Sequence, residues 1–501
     1  MQGGGSLSDK LSGLRIPAVG VRAMRWLMSG LCGASLLAAC VQGPDYTKPQ
    51  VAVPPAYRYA EHAVAPDAAT MRQAWWSGFG DPALNALVAE ALMNNRDLRI
   101  AAARVDEFEA ILAGTKSQGR PQIGYGLSGN RSRASEQKIP DFVDPLSSTF
   151  SAVLSASWEI DLWGRIRRET EAARANLLAS EEARRGVTLT LISSVISSYV
   201  TLLDLDEQLR VSAATLAGRK KSVGLFETRF SAGWVSEFEV TQVQADYESV
   251  ASQQPPLKQA IARQEHALSV LLGRNPGPIH RSNSLEALRS PIVPAGLPSE
   301  LLVRRPDILQ AEQELVASNA LIGAARALFF PRISLTGLFG FASGSLGSLF
   351  SGSARTWSFT GDVAGPIYTG GGLTAAVDQA EARRDQQLAS YELVIQNAFR
   401  DVDDSLADMK YNAELRDIAQ ARVRTLVRSL ELANARYDNG YSDYLDVLDT
   451  ERGLFNAQLQ LASARGDYQR ALVNLYRALG GDWNAVPPVP GSPPPTEGHG
   501  R

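Results

Sequence analysis

The sequence predicts a mainly α-helical chain with a membrane β-barrel contribution, built as two tandem repeats of long helices plus β-hairpins. Three observations carry this. The chain resembles itself at an offset of 207–210 residues, each copy switches from helical to alternating hydrophobicity and back, and an export signal precedes both. Bulk composition permits it: 501 residues, 45% hydrophobic and 21% charged, with a net charge of −3. A mean hydropathy of −0.13 argues against a polytopic helical membrane protein. It does not exclude a β-barrel, whose strands alternate and stay polar on average. Fifty basic against 53 acidic residues leave no positive excess for nucleic acid.

Arg15, Arg22 and Arg25 precede an apolar stretch from Trp26 to Ala39, the two regions of a secretory signal. Leu37-Ala38-Ala39-Cys40 resembles the bacterial lipobox. It implies a signal peptide over 1–39, with Met24 as an alternative start, and a covalent lipid on Cys40; no other cofactor is expected. The alternative is an incidental cysteine behind an ordinary signal. With Cys40 acylated and Cys32 removed no thiol remains, so disulfides, thiol catalysis and cysteine metal ligation drop out together. Residues 40–81 follow as a lipid-anchored N-terminal extended segment.

The repeat is read from paired motifs. Asn95-Arg96-Asp97-Leu98 is echoed by Arg305-Pro306-Asp307-Ile308, and Arg120-Pro121-Gln122-Ile123 by Phe330-Pro331-Arg332-Ile333, both at an offset of 210. Gly164-Arg165-Ile166 matches Gly371-Gly372-Leu373, Arg229 to Gly233 matches Arg436 to Gly440, and Leu272-Gly273 matches Leu479-Gly480, all at 207. The shift falls between Pro121 and Phe150, where a hairpin loop tolerates change. Repeat 1 is assigned to 82–290 and repeat 2 to 291–484. A Pro/Gly-rich tail, 485–501, is expected to be disordered.

Within repeat 1, Leu84, Leu87, Val88, Ala91 and Leu92 recur at helical spacing, predicting one helix from Pro82 to Gly119 that Pro121 ends. Alternation follows. Ile123, Tyr125 and Leu127 form one row, and Phe150, Ala152, Leu154, Ala156, Trp158 and Ile160 another. In repeat 2 the rows are Ile333, Leu335, Phe339, Phe341 and Trp357, Phe359, Val363, Ile367. Strands of about ten residues suit a tilted membrane crossing, although two hairpins of a soluble sandwich would alternate in the same way. Long helices are predicted from Gly164 to Arg229 and Gly371 to Arg436, with return helices from Ser236 to Leu272 and Ser442 to Leu479. Gly186 to Leu203 lacks charge but reads as amphipathic, with Ser193, Ser194, Ser197 and Ser198 opposite Ile192, Val195, Ile196 and Tyr199. Alanines (Ala172, Ala173, Ala175, Ala179, and Ala375, Ala376, Ala380, Ala382) would allow close helix packing.

Four strands cannot close a barrel alone, and an open edge in lipid leaves backbone groups unsatisfied at several kcal/mol each. Two, three or four copies would supply 8, 12 or 16 strands. Gly43-Pro44-Asp45-Tyr46, Trp75-Trp76-x-x-Phe79-x-Asp81-Pro82 and Asp161-Leu162-Trp163-Gly164-Arg165 resemble the TolC-like outer-membrane efflux factors, in their lipoprotein (OprM/NodT-type) branch. The likeness runs from Cys40 to about Trp483. It implies a homotrimer whose shared 12-stranded outer-membrane barrel continues as a periplasmic α-helical tunnel. It also implies a periplasmic adaptor protein and an inner-membrane RND-type transporter as partners.

No catalytic constellation emerges, so the chain is read as a non-enzyme. His62, His266, His280 and His499 share no ligand spacing, so no metal site is assigned. Gly370-Gly371-Gly372 lacks the spacing and lysine of a phosphate loop. The informative stretch runs from Tyr437 to Arg452. Gly440 is placed to end the long helix and Ser442 to cap the next. The resemblance implies a periplasmic gate here, with Asp446 and Asp449 as its candidate residues and Leu445 and Arg452 as further ones. Asp446 and Asp449 lie three apart on one helical face. In a trimer they would form two rings of three carboxylates able to hold cations; the competing reading is simple complementarity to the helix dipole, roughly 0.3–1 kcal/mol each. Repeat 1 carries Glu239 and Gln242 there instead.

The function expected is therefore an exit duct for drugs or other small molecules in a tripartite efflux system. The alternatives are a duct for heavy-metal export or type I protein secretion and, from another class, a lipid-anchored periplasmic scaffold or adaptor.

Overall fold

The structure, a computed structural model, describes residues 41–59, 75–138, 140, 142, 144–291 and 298–481. The signal peptide, Met24, Cys40 and the tail 485–501 lie outside the described residues.

The elements repeat as the motifs do. Helices α1 (Pro82–Asn94) and α2 (Arg96–Ser117) lead into strands β1 (Gln122–Arg133) and β2 (Leu146–Ile160), then α3 (Arg165–Ser231) and α4 (Glu237–Leu271). The second copy gives α5 (Pro298–Arg304), α6 (Pro306–Ala327), β3 (Arg332–Ser343), β4 (Arg355–Ala364), α7 (Gly372–Asp438) and α8 (Tyr444–Ala478). Helices α3 and α7 are both 67 residues long, and α4 and α8 both 35.

Two predicted elements differ. The helix expected from Pro82 to Gly119 is broken at Asn95, whose backbone leaves helical geometry at ψ 138°. Its side chain compensates: Oδ1 accepts from the Leu98 N–H at 2.9 Å, as a helix N-cap does. Ile367, assigned to the last apolar row, lies beyond β4, because Pro366 has no N–H for the ladder.

The strands form one antiparallel sheet in the order β1-β2-β3-β4. Its register collects the predicted rows on one face. Tyr125 stands opposite Leu154, Leu154 opposite Phe339, and Phe339 opposite Trp357. One step along, Trp158 faces Leu335, and Ile333 faces Val363. The other face gathers Ser128, Ser151, Ser155, Ser157, Thr336, Ser358 and Thr360, with Val153 and Leu338 as apolar exceptions. A one-residue slip in any pair would mix the two faces. Ile123, Tyr125 and Leu127 remain 79%, 82% and 76% exposed, so this chain alone leaves the β1 end of the apolar face uncovered.

The chain divides into two compact units that cut across the repeats. One comprises residues 1–47, 110–175 and 316–386; the other comprises 48–109, 176–315 and 387–501. The first holds the sheet and the helix ends that enter it. There Ala172 and Ala175 pack on Ala317 and Ala320, whereas Ala375 and Ala382 of the second predicted stripe are exposed. The second unit holds the main core: Trp75, Trp76 and Phe79 with Leu84 and Val88 of α1, Val195, Ile196 and Tyr199 of α3, and Leu268 and Leu272. The uncharged stretch Gly186–Leu203 is thus a core helix face. Ser193 is an exception to its expected polar side, being only 3% exposed. Asp81 organises the α1 end: its carboxylate accepts from the Ala83 and Leu84 N–H groups and, at 2.8 Å, from the Tyr199 hydroxyl. Burial, with the Asp81 charge, pushes the Tyr199 hydroxyl well above its ordinary range.

Candidate functional site

The candidate gate lies where α7 turns into α8. Gly440, at φ +74°, closes the end of α7, as Gly233, at φ +78°, closes α3. A side chain at either position would be strained, which is why both turns carry glycine. The two turns then diverge. Ser236 caps α4 through a reciprocal pair: its Oγ accepts from the Glu239 N–H at 3.3 Å, and the Glu239 carboxylate accepts from the Ser236 N–H at 2.8 Å. In the second turn the N-cap is Asp443, without a side-chain bond to the helix, and not the expected Ser442. The Ser442 hydroxyl is buried with no hydrogen-bond partner among the described residues. Asp446 occupies the place of Glu239 but, one methylene shorter, makes no return bond.

Asp446 and Asp449 are exposed on the first turns of α8, without an ion pair among the described residues, and Leu445 is 54% exposed. Arg452 is engaged elsewhere. Its Nε donates to Asp246 Oδ1 at 2.6 Å, tying α8 to α4. Asp246 is also paired with Arg219 of α3, which in turn reaches Glu451. Two cations and two anions thus meet at one point, with the Arg219 and Asp246 side chains only 4% and 3% exposed. Burial weakens the proton affinity of the Arg219 guanidinium, and Asp246 opposes that effect. Sequence reasoning identified Arg452 but missed Arg219, Asp246 and Glu451. A signal was present: Asp246 sits between Val243 and Val250 in the buried row of α4, an anion where the periodicity calls for an apolar residue. Beside the cluster, Tyr444 packs on Phe226 at 4.4 Å, while Trp234 and Tyr441, one on each turn, are 80% and 78% exposed.

A second feature belongs to the sheet. Its apolar rows run from Ile333 to Phe341, roughly 26 Å along the strand at about 3.3 Å per residue, close to the height of a membrane-facing band. The decisive finding is at the level of family. The sequence model of the outer membrane efflux proteins matches residues 87–274 and again 297–481, once in each repeat. The chain belongs to this family.

This efflux protein is 37% identical over 454 residues to the solvent efflux pump outer membrane protein SrpC of Pseudomonas putida, covering 90% of this chain and 97% of that one. It is 36% identical over 453 residues to the cation efflux system protein CusC of Escherichia coli, covering 90% and 98%. Among solved structures it resembles the outer-membrane channel OprN, with a TM-score of 0.82 and 30% identity over 89% of this chain and all of that one. It also resembles the open-state MtrE outer membrane channel of Neisseria gonorrhoeae, with a TM-score of 0.79 and 30% identity over 88% and 98%. The efflux protein is therefore an outer-membrane channel component, and the apolar face of its sheet is the lipid-facing one.

The residues that follow Cys40 in this efflux protein are held firmly. Arg168, with its side chain 7% exposed, donates to the carbonyls of Gln42 and Gly43 at 3.1 and 3.3 Å and to Asp45 at 2.8 Å. The Gln42 N–H donates to the Trp163 carbonyl at 3.2 Å. Gly164 leaves room for Val41: a Cβ there would lie 2.8 Å from Val41 Cγ1.

Proposed function

We propose that the chain is the exit duct of a tripartite efflux system, a homotrimer in which three four-stranded sheets close one 12-stranded barrel. The observation that carries this is a sheet with one continuous apolar face and an unpaired edge on both β1 and β4. Lipid tolerates no such edges, so copies must supply the missing ladders. The duct works with a periplasmic adaptor and an inner-membrane RND-type transporter, and it conducts passively, as a transport protein and not an enzyme. Its cargo is drugs or other small molecules. Relatives named for solvents, for toluene, for antibiotics and for cations all match it over most of their length, which suits a duct whose pump does the selecting.

Cys40 carries the anchoring lipid in this reading, supported by the clamp that Arg168 places on the residues immediately after it. Asp446 and Asp449, with Leu445, form the constriction of the closed entrance, and Arg452 latches it through Asp246. The test is outer-membrane fractionation of the full chain with cross-linking and heat-modifiability on gels. An SDS-resistant trimer that labels with palmitate at Cys40 is expected; a soluble monomer after delipidation overturns the reading.

A further inference from the structure

At the helix-bearing end of the sheet, the first repeat carries a cleft to which the proposed function assigns no role. Trp158 is the last aromatic residue of the β2 apolar row, and its Nε1 donates to the Gly119 carbonyl at 3.0 Å, which fixes the indole at the strand end. Below it lies a cleft of about 580 Å³ walled by Trp158, Ile160, Leu162 and Ile166, with Lys116 and Arg167 at its border. The acids in the wall are already engaged. Glu159 pairs with Arg165 at 3.0 Å. Asp161 accepts from the backbone N–H groups of Ile166 and Arg167 and pairs with the Arg167 side chain at 3.4 Å. Lys116 makes no ion pair among the described residues. One uncommitted cation therefore borders an apolar-walled cleft at the level where the lipid-facing row stops.

The second repeat provides an internal comparison. Arg326 stands where Lys116 does, but it pairs with Glu381 at 2.7 Å. Gly365 and Pro366 replace Trp158 and Glu159. Among the described residues the duplicated copy lacks both the aromatic wall and the free charge.

We propose that this cleft binds a glycerophospholipid, with the phosphate diester on the Lys116 ammonium and an acyl chain along Trp158 and Ile160. A cation beside the hydrocarbon boundary attracts the phosphate level of a bilayer, and a tryptophan with one apolar and one hydrogen-bonded edge suits the same level. The volume falls within the range of small-ligand sites. The proposal rests on the outer-membrane placement of the four strands.

The test uses the full-length protein extracted from outer membranes, stripped of lipid in detergent and titrated with phosphatidylglycerol under native mass spectrometry. One bound phospholipid per chain is expected. Lys116→Glu should weaken binding by about tenfold, Trp158→Ala several-fold, and Arg326→Ala not at all. Equal binding by wild type and Lys116→Glu overturns the site, as does an equal loss in Arg326→Ala. Displacement of the lipid by inorganic phosphate at comparable concentration also overturns it, since the acyl contact would then contribute nothing. If Lys116→Glu fails to assemble, Lys116→Gln is expected to show the same direction of loss, and unchanged binding there is equally fatal. A failed membrane placement would show as a chain absent from the outer-membrane fraction; a failed site, as an inserted chain without bound phospholipid.

Discussion

Asn95 and Arg305, 210 residues apart, make the same hydrogen bond with different chemistry. The Asn95 amide donates to the Leu271 carbonyl at 2.9 Å, and the Arg305 guanidinium donates to the Ala478 carbonyl at 3.0 Å. Those acceptors are the last residues of α4 and α8, so each copy uses a helix break to satisfy the open end of its own return helix. Glycine completes both joints: a Cβ on Gly273 would lie 2.2 Å from the Asn94 carbonyl oxygen, and one on Gly480 would lie 3.2 Å from that of Arg304.

Replacing these two residues should separate their chemistry. Asn95→Ala loses a cap and one neutral bond, and is expected to cost roughly 1–2 kcal/mol. Arg305→Ala also loses pairs with Asp307 and Asp401, whose partial exposure keeps its cost near roughly 3 kcal/mol. Hydrogen exchange in the last turns of α4 and α8 reads both; equal losses would contradict the comparison.

Asp446→Asn with Asp449→Asn is expected to raise single-channel conductance in planar bilayers and to weaken block by added cations. The double variant leaves Arg452 and Asp246 intact, so conductance and block that both stay at the wild-type level would count against a carboxylate gate.

The buried cluster should be asymmetric in its sensitivity. Asp246→Ala leaves the buried Arg219 charge with Glu451 as its remaining anion and is expected to destabilise the turn by roughly 3 kcal/mol. Arg452→Ala removes a side chain that is 48% exposed, so its cost should be about 1 kcal/mol or less. Proteolysis near Gly440 measures the difference; matching cleavage rates for the two variants would refute it.

Asp204 supplies a pH dependence. Burial raises its carboxyl above the ordinary 3.8, against the lowering effects of Gln208 and Arg470. A carboxyl raised in the folded state contributes stability that is complete below that ordinary value and is lost as pH rises through the folded value. Asp204→Asn is therefore expected to melt higher than wild type at pH 7, with the gap closing towards pH 4. A variant that melts lower at pH 7 would reverse the sign and show that the Arg470 contact dominates.

The fold was legible because duplication supplies a second reading of every element. The 207-residue offset reproduces the bounds of α3 against α7 and of α4 against α8 to the residue. What escaped were features set by tertiary partners. The break at Asn95 depends on the Leu271 carbonyl, which no local pattern contains. The Arg219–Asp246 pair joins two helices, and periodicity registers it only as one misplaced acid. The cap was placed one residue early because Ser442 has the better side chain, whereas the backbone assigns Asp443 to that position.

The divergent caps have a consequence for symmetry. Three duplicated chains around an axis would make a nearly six-fold scaffold with two kinds of turn in alternation. In one kind, Ser236 holds the acid of Glu239 against its own helix end. In the other, the equivalent acid is released. In the proposed trimer, a difference of a few atoms in a helix cap would be enough to lower six-fold architecture to three-fold function, with alternate turns holding the ring and the others left to obstruct it.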